Sequence, residues 1–124
     1  RQELRIELHE KTDIRDFKTG QKIDLVVADV SFISLRELLP SIKKLCNAQT
    51  DLVLMVKPQF EAAADNLKHK GVIKNDKIRR EILKNFETWV LQHGFYVVDK
   101  ADSDVAGGKG NLERFYHLKI ASIS

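Results

Sequence analysis

Apolar residues in this chain fall into two kinds of pattern: short runs bounded by polar residues, and one long stretch at helical spacing. Leu4 to His9 alternates apolar and polar positions, as a half-buried strand does. Ile23 to Ala28 is a nearly continuous apolar run without Gly or Pro, which predicts a strand covered on both faces. Leu52 to Val56 predicts another, stopped by Pro58. Between Asp76 and His93 the residues Ile78, Ile82, Phe86, Trp89 and Val90 recur at helical spacing, and Gly94 supplies a C-terminal stop. Phe95 to Val98 and Arg114 to Ile120 predict the last two strands, separated by the Gly-rich segment Val105 to Asn111. Ser34 reads as a helix N-cap, with Glu37 closing a capping box. Pro40 confines the regular helix to a late start or a kinked course, and it should end near Cys46 and Asn47.

This order of strand, helix, strand, helix and strand pair predicts an α/β sheet with a mixed edge. Glu61 to Asn75, which carries Lys68, His69, Lys70 and Lys74, has weak periodicity and reads as a loop over the carboxyl edge of the sheet.

Composition narrows the class. With 124 residues, 43% of them hydrophobic, the chain is one domain at most or a piece of one. Its 21 basic and 18 acidic residues leave a net charge of +3, which permits a nucleic-acid partner without demanding one. The lone Cys46 excludes an internal disulfide framework and reads as a buried, reduced thiol, in keeping with a cytoplasmic location. No apolar run is long enough to span a bilayer, so no membrane partner is expected. The start at Arg1, without Met or a signal-peptide core, reads as an excision from something longer. His9, His69, His93 and His117 lack metal-ligand spacing, and no metal site is expected.

The candidate chemistry lies where two apolar runs stop. Asp29 follows the run ending at Ala28, and Lys57 follows the run ending at Val56; the carboxyl ends of strands are where open α/β sheets place their active sites. A lone Asp at a strand end is more often a cap. Lys57 is harder to dismiss, because between Val56 and Pro58 a lysine serving solubility alone would have to snorkel out of a packed edge. Glu113 by itself reads as an exposed turn acid, and its case rests on the other two.

Four segments carry a resemblance: Asp29-Val30-Ser31-Phe32-Ile33-Ser34-Leu35, Val56-Lys57-Pro58-Gln59-Phe60-Glu61, Lys70-Gly71-Val72 and Gly110-Asn111-Leu112-Glu113. In this order they resemble the TlyA, or haemolysin A, branch of the FtsJ-like RNA ribose 2′-O-methyltransferases, over nearly the whole chain. The resemblance implies a Rossmann-like, S-adenosylmethionine-dependent methyltransferase fold, mostly parallel with an antiparallel edge strand and truncated at the N-terminus. It implies an enzyme that methylates ribose 2′-hydroxyls of ribosomal RNA, with RNA or a ribosomal subunit as partner. The family's Lys-Asp-Lys-Glu set maps in its last three members onto Asp29, Lys57 and Glu113. The first lysine and the Gly-rich cofactor loop are expected upstream of Arg1, so residues 1–124 are expected to be the carboxyl-terminal part of the catalytic domain, inactive alone. Asp13 and Ile14 resemble the segment that meets the adenine ring, with an Asx-turn as the alternative for Asp13. Asp29, Ser31 and Phe32 would border the methionine end. Where relatives carry Asp-Pro and then His, this chain has Asn75-Asp76 and then Arg79; Gly107-Gly108-Lys109 stands where Gly-Pro is usual.

The chemistry behind that set can be stated physically. A ribose hydroxyl is a weak nucleophile, so its proton must be drawn off while the oxygen is held in line with the methyl donor. A desolvated Lys57 can act as base, with Asp29 and Glu113 orienting it; as strong ion partners they would instead hold it protonated. The alternative function is a non-catalytic RNA-binding or oligomerising domain that retains the fold. The strands expected to be missing would lie between Leu4 to His9 and Ile23 to Ala28. That predicts either self-association through an open edge or its direct closing by Leu4 to His9.

Overall fold

The apolar runs become strands and the helical-spacing segment becomes a helix in the computed structural model, which describes residues 5–8 (backbone only), 23–29, 34–58, 60, 61, 76–103 and 113–121. In chain order the elements are β1 (Arg5–Leu8), β2 (Leu25–Ala28), a 3-10 turn (Leu35–Glu37), α1 (Leu39–Leu45), β3 (Asp51–Val56), α2 (Asp76–Gln92), β4 (Phe95–Asp102) and β5 (Arg114–Ile120). The helix α1 starts late, as Pro40 in its first turn requires. Ser34 caps the preceding 3-10 turn by accepting from the Arg36 N–H, not through the expected capping box with Glu37.

The five strands form one sheet in the order β1-β2-β3-β5-β4. β1 pairs parallel with β2 and β2 with β3, whereas β5 is antiparallel to both β3 and β4. This corrects the expected mostly parallel sheet with an antiparallel edge strand: the pairings divide evenly, and the antiparallel strand lies inside. Burial explains the order. Tyr116 and Leu118 of β5 are fully buried and need neighbours on both sides, while β4 is exposed from Val98 onward and suits an edge. β4 also runs beyond its predicted end at Val98, because its ladder with β5 continues to Asp102 past an irregularity between Val97 and Asp99. On the other side β1 pairs with β2 directly, Arg5 opposite Leu25.

Only one sheet face is fully buried. Val26, Ala28, Leu52, Leu54, Val56, Tyr116 and Leu118 pack against Leu39 and Ile42 of α1 and Leu83, Phe86 and Val90 of α2. Each of the Val, Leu, Ile and Phe side chains contributes about 2 kcal/mol of hydrophobic stabilisation, and the Phe86 and Tyr116 rings meet with centroids 5.3 Å apart. Leu25, Val27, Val53 and Met55 on the opposite parity are half-buried, so the expectation of strands covered on both faces holds for one face alone. At the far end, α2 stops at Gly94 in the left-handed region (φ 86°), where a Cβ would collide with the Lys43 side chain. Thr50 Oγ donates to the Ile23 carbonyl at 2.6 Å and ties the starts of β2 and β3 together. The two strands therefore leave the same end of the sheet in step.

Candidate active site

β2 and β3 are parallel and in register, Ala28 opposite Leu54, so the residues that follow them emerge at one sheet edge. Asp29 and Lys57 meet there, with Lys57 Nζ 2.7 Å from Asp29 Oδ1. Lys57 is 13% exposed and Asp29 41%, so the amine is largely withdrawn from solvent while the carboxylate keeps one side open. Oδ1 itself is buried, and among the described residues the Lys57 ammonium is the charge that meets it.

The third predicted residue arrives from an antiparallel strand. Arg114 pairs with Val56, so Glu113, the residue before it, lies at the same end of the sheet as Lys57. Ala28, Val56 and Arg114 all belong to the parity packed toward the helices. Asp29, Lys57 and Glu113 each adjoin one of these strand ends, so they share one edge of the sheet. The Glu113 carbonyl accepts from the Ser103 N–H at 2.8 Å, which fixes the base of the connection between β4 and β5. Of the other sites expected from the sequence, Asp13, Ile14, Ser31 and Phe32 lie outside the described residues, as do Lys68, His69, Lys70 and Lys74.

Sequence reasoning missed Glu61. Expected at the start of an exposed loop, it is 1% exposed and lies in a helical turn that begins at Pro58. Lys57 occupies the cap position of that turn, its carbonyl accepting from the N–H groups of Phe60 (3.0 Å) and Glu61 (3.3 Å), and Pro58 takes the first helical position, where no N–H is needed. Glu61 Oε1 accepts from Ser34 Oγ at 2.6 Å and Arg36 Nε at 2.9 Å, and Oε2 accepts from the Leu35 N–H at 3.0 Å. Burial pushes the Glu61 carboxyl above its ordinary pKa, outweighing the lowering effect of Ser34, Leu35 and Arg36. The proline after Lys57 was the available signal, because it marks a helix start that would carry Glu61 inward.

A second charged cluster lies where α2 meets β4 and β5. Asp102 Oδ1 accepts from Arg79 and from Arg114, both at 2.8 Å. Glu87 takes Lys100 at 2.9 Å and the Tyr116 hydroxyl at 2.7 Å, with Arg114 at 3.6 Å. The Arg114 hydrogen bond holds the Asp102 carboxyl below its usual range against the opposing effect of burial, with Arg79 adding to the lowering. Cys46 is not a candidate nucleophile, since burial pushes its thiol up to about 11, partly offset by Thr50. Among the described residues no helix is long and apolar enough to cross a membrane.

Comparison with known proteins gives this edge a context. Residues 1–120 match the family model of the FtsJ-like methyltransferases. The chain is 41% identical over 115 residues to the 23S rRNA (cytidine-2′-O)-methyltransferase TlyA of Campylobacter jejuni, covering 91% of this chain and 44% of that protein. It is 38% identical over 96 residues to hemolysin A of Brachyspira hyodysenteriae, covering 77% of this chain and 40% of that one. The chain thus spans less than half the length of these curated relatives. A solved structure of a hemolysin-named protein from Streptococcus thermophilus superposes with a TM-score of 0.79 at 29% identity, over 90% of this chain and 42% of that one.

Proposed function

The chain belongs to the FtsJ-like methyltransferase family, in the branch of the TlyA and hemolysin A ribosomal RNA methyltransferases, and from that premise we propose that it forms the catalytic rim of an S-adenosylmethionine-dependent 2′-O-ribose methyltransferase. The contact of Lys57 with Asp29 at 2.7 Å, at the sheet edge next to which β5 begins after Glu113, is the observation that carries the reading. In this proposal Lys57, which Asp29 holds as an ammonium in the resting pair, first gives up its proton to solvent and then takes the proton of the ribose hydroxyl as the oxygen forms its bond to carbon. Asp29 holds the amine in place, and Glu113 flanks it from β5. The withdrawal of Lys57 from solvent favours this work, because a weakly hydrated amine needs little reorganisation to receive a proton.

The residues present suit the cofactor at one described point. Lys57 holds Asp29 Oδ1, while the Asp29 side chain is 41% exposed, so the open side of the carboxylate could face a cationic amino or sulfonium group. When bound, S-adenosylmethionine supplies the electrophilic methyl group. The proposed substrate is ribosomal RNA, alone or within a ribosomal subunit, and the proposed location is the cytoplasm.

Because the chain spans less than half of its relatives, the test uses the native gene product that carries it. That protein, incubated with methyl-labelled S-adenosylmethionine and unmodified ribosomal subunits, should label RNA, and nuclease digestion should release the label as a 2′-O-methylnucleoside. Label on a base, or RNA binding with no transfer at all, would overturn the reading and favour the non-catalytic RNA-binding domain.

A further inference from the structure

Asp29 and Lys57 each end a strand, and neither strand alone fixes how far apart their side chains stand. Parallel strands deliver their ends to one edge, yet the segments beyond those ends are free to diverge unless something joins them. Glu61 joins them. Its backbone belongs to the helical turn whose cap is Lys57, because the Glu61 and Phe60 N–H groups both bind the Lys57 carbonyl. Its carboxylate holds Ser34, Leu35 and Arg36, which belong to the segment that leaves Asp29. Ser34 Oγ adds a cross-brace by donating to Glu61 while accepting from the Arg36 N–H at 3.1 Å.

A surface ion pair joining two loops would do this loosely. Here the carboxylate is 1% exposed, and three donors from three consecutive residues converge on its two oxygens. Burying a carboxylate is unfavourable unless its hydrogen bonds are well made, and once made they allow few other arrangements. Such a device is stiff, as the spacing of a proton-accepting amine and its orienting acid requires.

We infer that Glu61 is a positioning residue that sets the separation of Lys57 and Asp29, an inference that rests on the proposed proton-accepting role of Lys57. It touches neither substrate nor cofactor and acts through the two strand ends it clamps.

Glu61→Gln is the informative variant. If its amide oxygen keeps the place of Oε1 and still accepts from Ser34 and Arg36, its NH2 faces the Leu35 N–H, donor against donor. The clamp should open by a fraction of an ångström on that side. In the native gene product, kcat for RNA methylation should fall about tenfold, while KM for S-adenosylmethionine changes about threefold or less, as expected when orientation is lost and binding kept. The limb of the kcat–pH profile that reports Lys57 should move as well, which a loss of fold stability alone would not cause. Ser34→Ala, which removes one donor and leaves Leu35 and Arg36 bound, should give a smaller change of the same kind and serves if the Gln variant does not fold. A variant that melts earlier but keeps kcat and pH profile at a temperature where it is folded would overturn the inference. Lys57→Ala is assayed in parallel. Full activity there removes the premise, and so the inference with it, whereas inactivity there with unchanged Glu61→Gln and Ser34→Ala overturns the positioning role alone.

Discussion

Two charged clusters in this molecule use the same residue types to opposite ends. In the cluster of Arg79, Asp102, Arg114, Glu87, Lys100 and Tyr116, both carboxylates have several donors and face solvent in part, Asp102 at 49% and Glu87 at 24%. At the rim, Glu61 is almost wholly buried and fully bound, whereas Asp29 meets Lys57 and stays 41% exposed. The first arrangement gives both of its carboxylates several donors, although the Arg79 Nε stays buried without a partner among the described residues, and it fastens α2 to β4 and β5. The second spends its hydrogen bonds one step away from the pair it holds and leaves that pair able to take a ligand. The two differ in position: one fastens packed elements, and the other brings an acid and an amine to the open edge of the sheet.

Substitutions sharpen this contrast. Lys57→Ala should have the largest effect, lowering methyl transfer about a thousandfold, within the range for loss of a general base, with little change in melting temperature. Glu61→Ala should instead cost stability, about 3 kcal/mol, because the Arg36 guanidinium, Ser34 and the Leu35 N–H lose a buried partner together; denaturant unfolding measures it. In the other cluster Tyr116→Phe removes one hydroxyl bound to Glu87 and keeps the packing on Phe86, for about 1 kcal/mol. Lys100→Ala, which breaks a pair exposed on both sides, should change stability by about 0.5 kcal/mol or less. A Lys100→Ala cost equal to that of Glu61→Ala would abolish the distinction between the clusters.

Acid should separate them by sign. Asp102 has a lowered pKa in the folded state, so its contribution is complete above the ordinary value of 3.8 and is lost as pH falls through the lower folded value. Asp102→Asn should flatten stability in that acid range. Glu61 has a raised pKa, so the folded state binds more protons above 4.5 and this group's contribution declines as pH rises through its folded value. Glu61→Gln should remove that decline, measured by melting temperature across the pH series.

The sequence carried some of this plainly. β2, β3 and α2 were legible because their apolar residues follow one period each, and Asp29 and Lys57 were legible because those runs stop at them. Glu61 was hidden, since its donors Ser34, Leu35 and Arg36 lie 25 to 27 residues away and local polarity around it reads as loop. The tail of β4 was hidden for a related reason. Asp99 to Asp102 has no buried face to impose a period, and only pairing with β5 makes it a strand. Strand order was equally out of reach. It is decided by which strand is more buried, and the fully buried Tyr116 and Leu118 draw β5 between β3 and β4.

The claim that Lys57 handles the ribose proton is tested most directly by chemical rescue. Methyl transfer to ribosomal RNA by the Lys57→Ala gene product is measured with and without added small primary amines. The account predicts a rate that collapses without amine and recovers in part with it, following the titration of the added amine. A Lys57→Ala protein that transfers methyl groups at the unmodified rate with no amine present would contradict it.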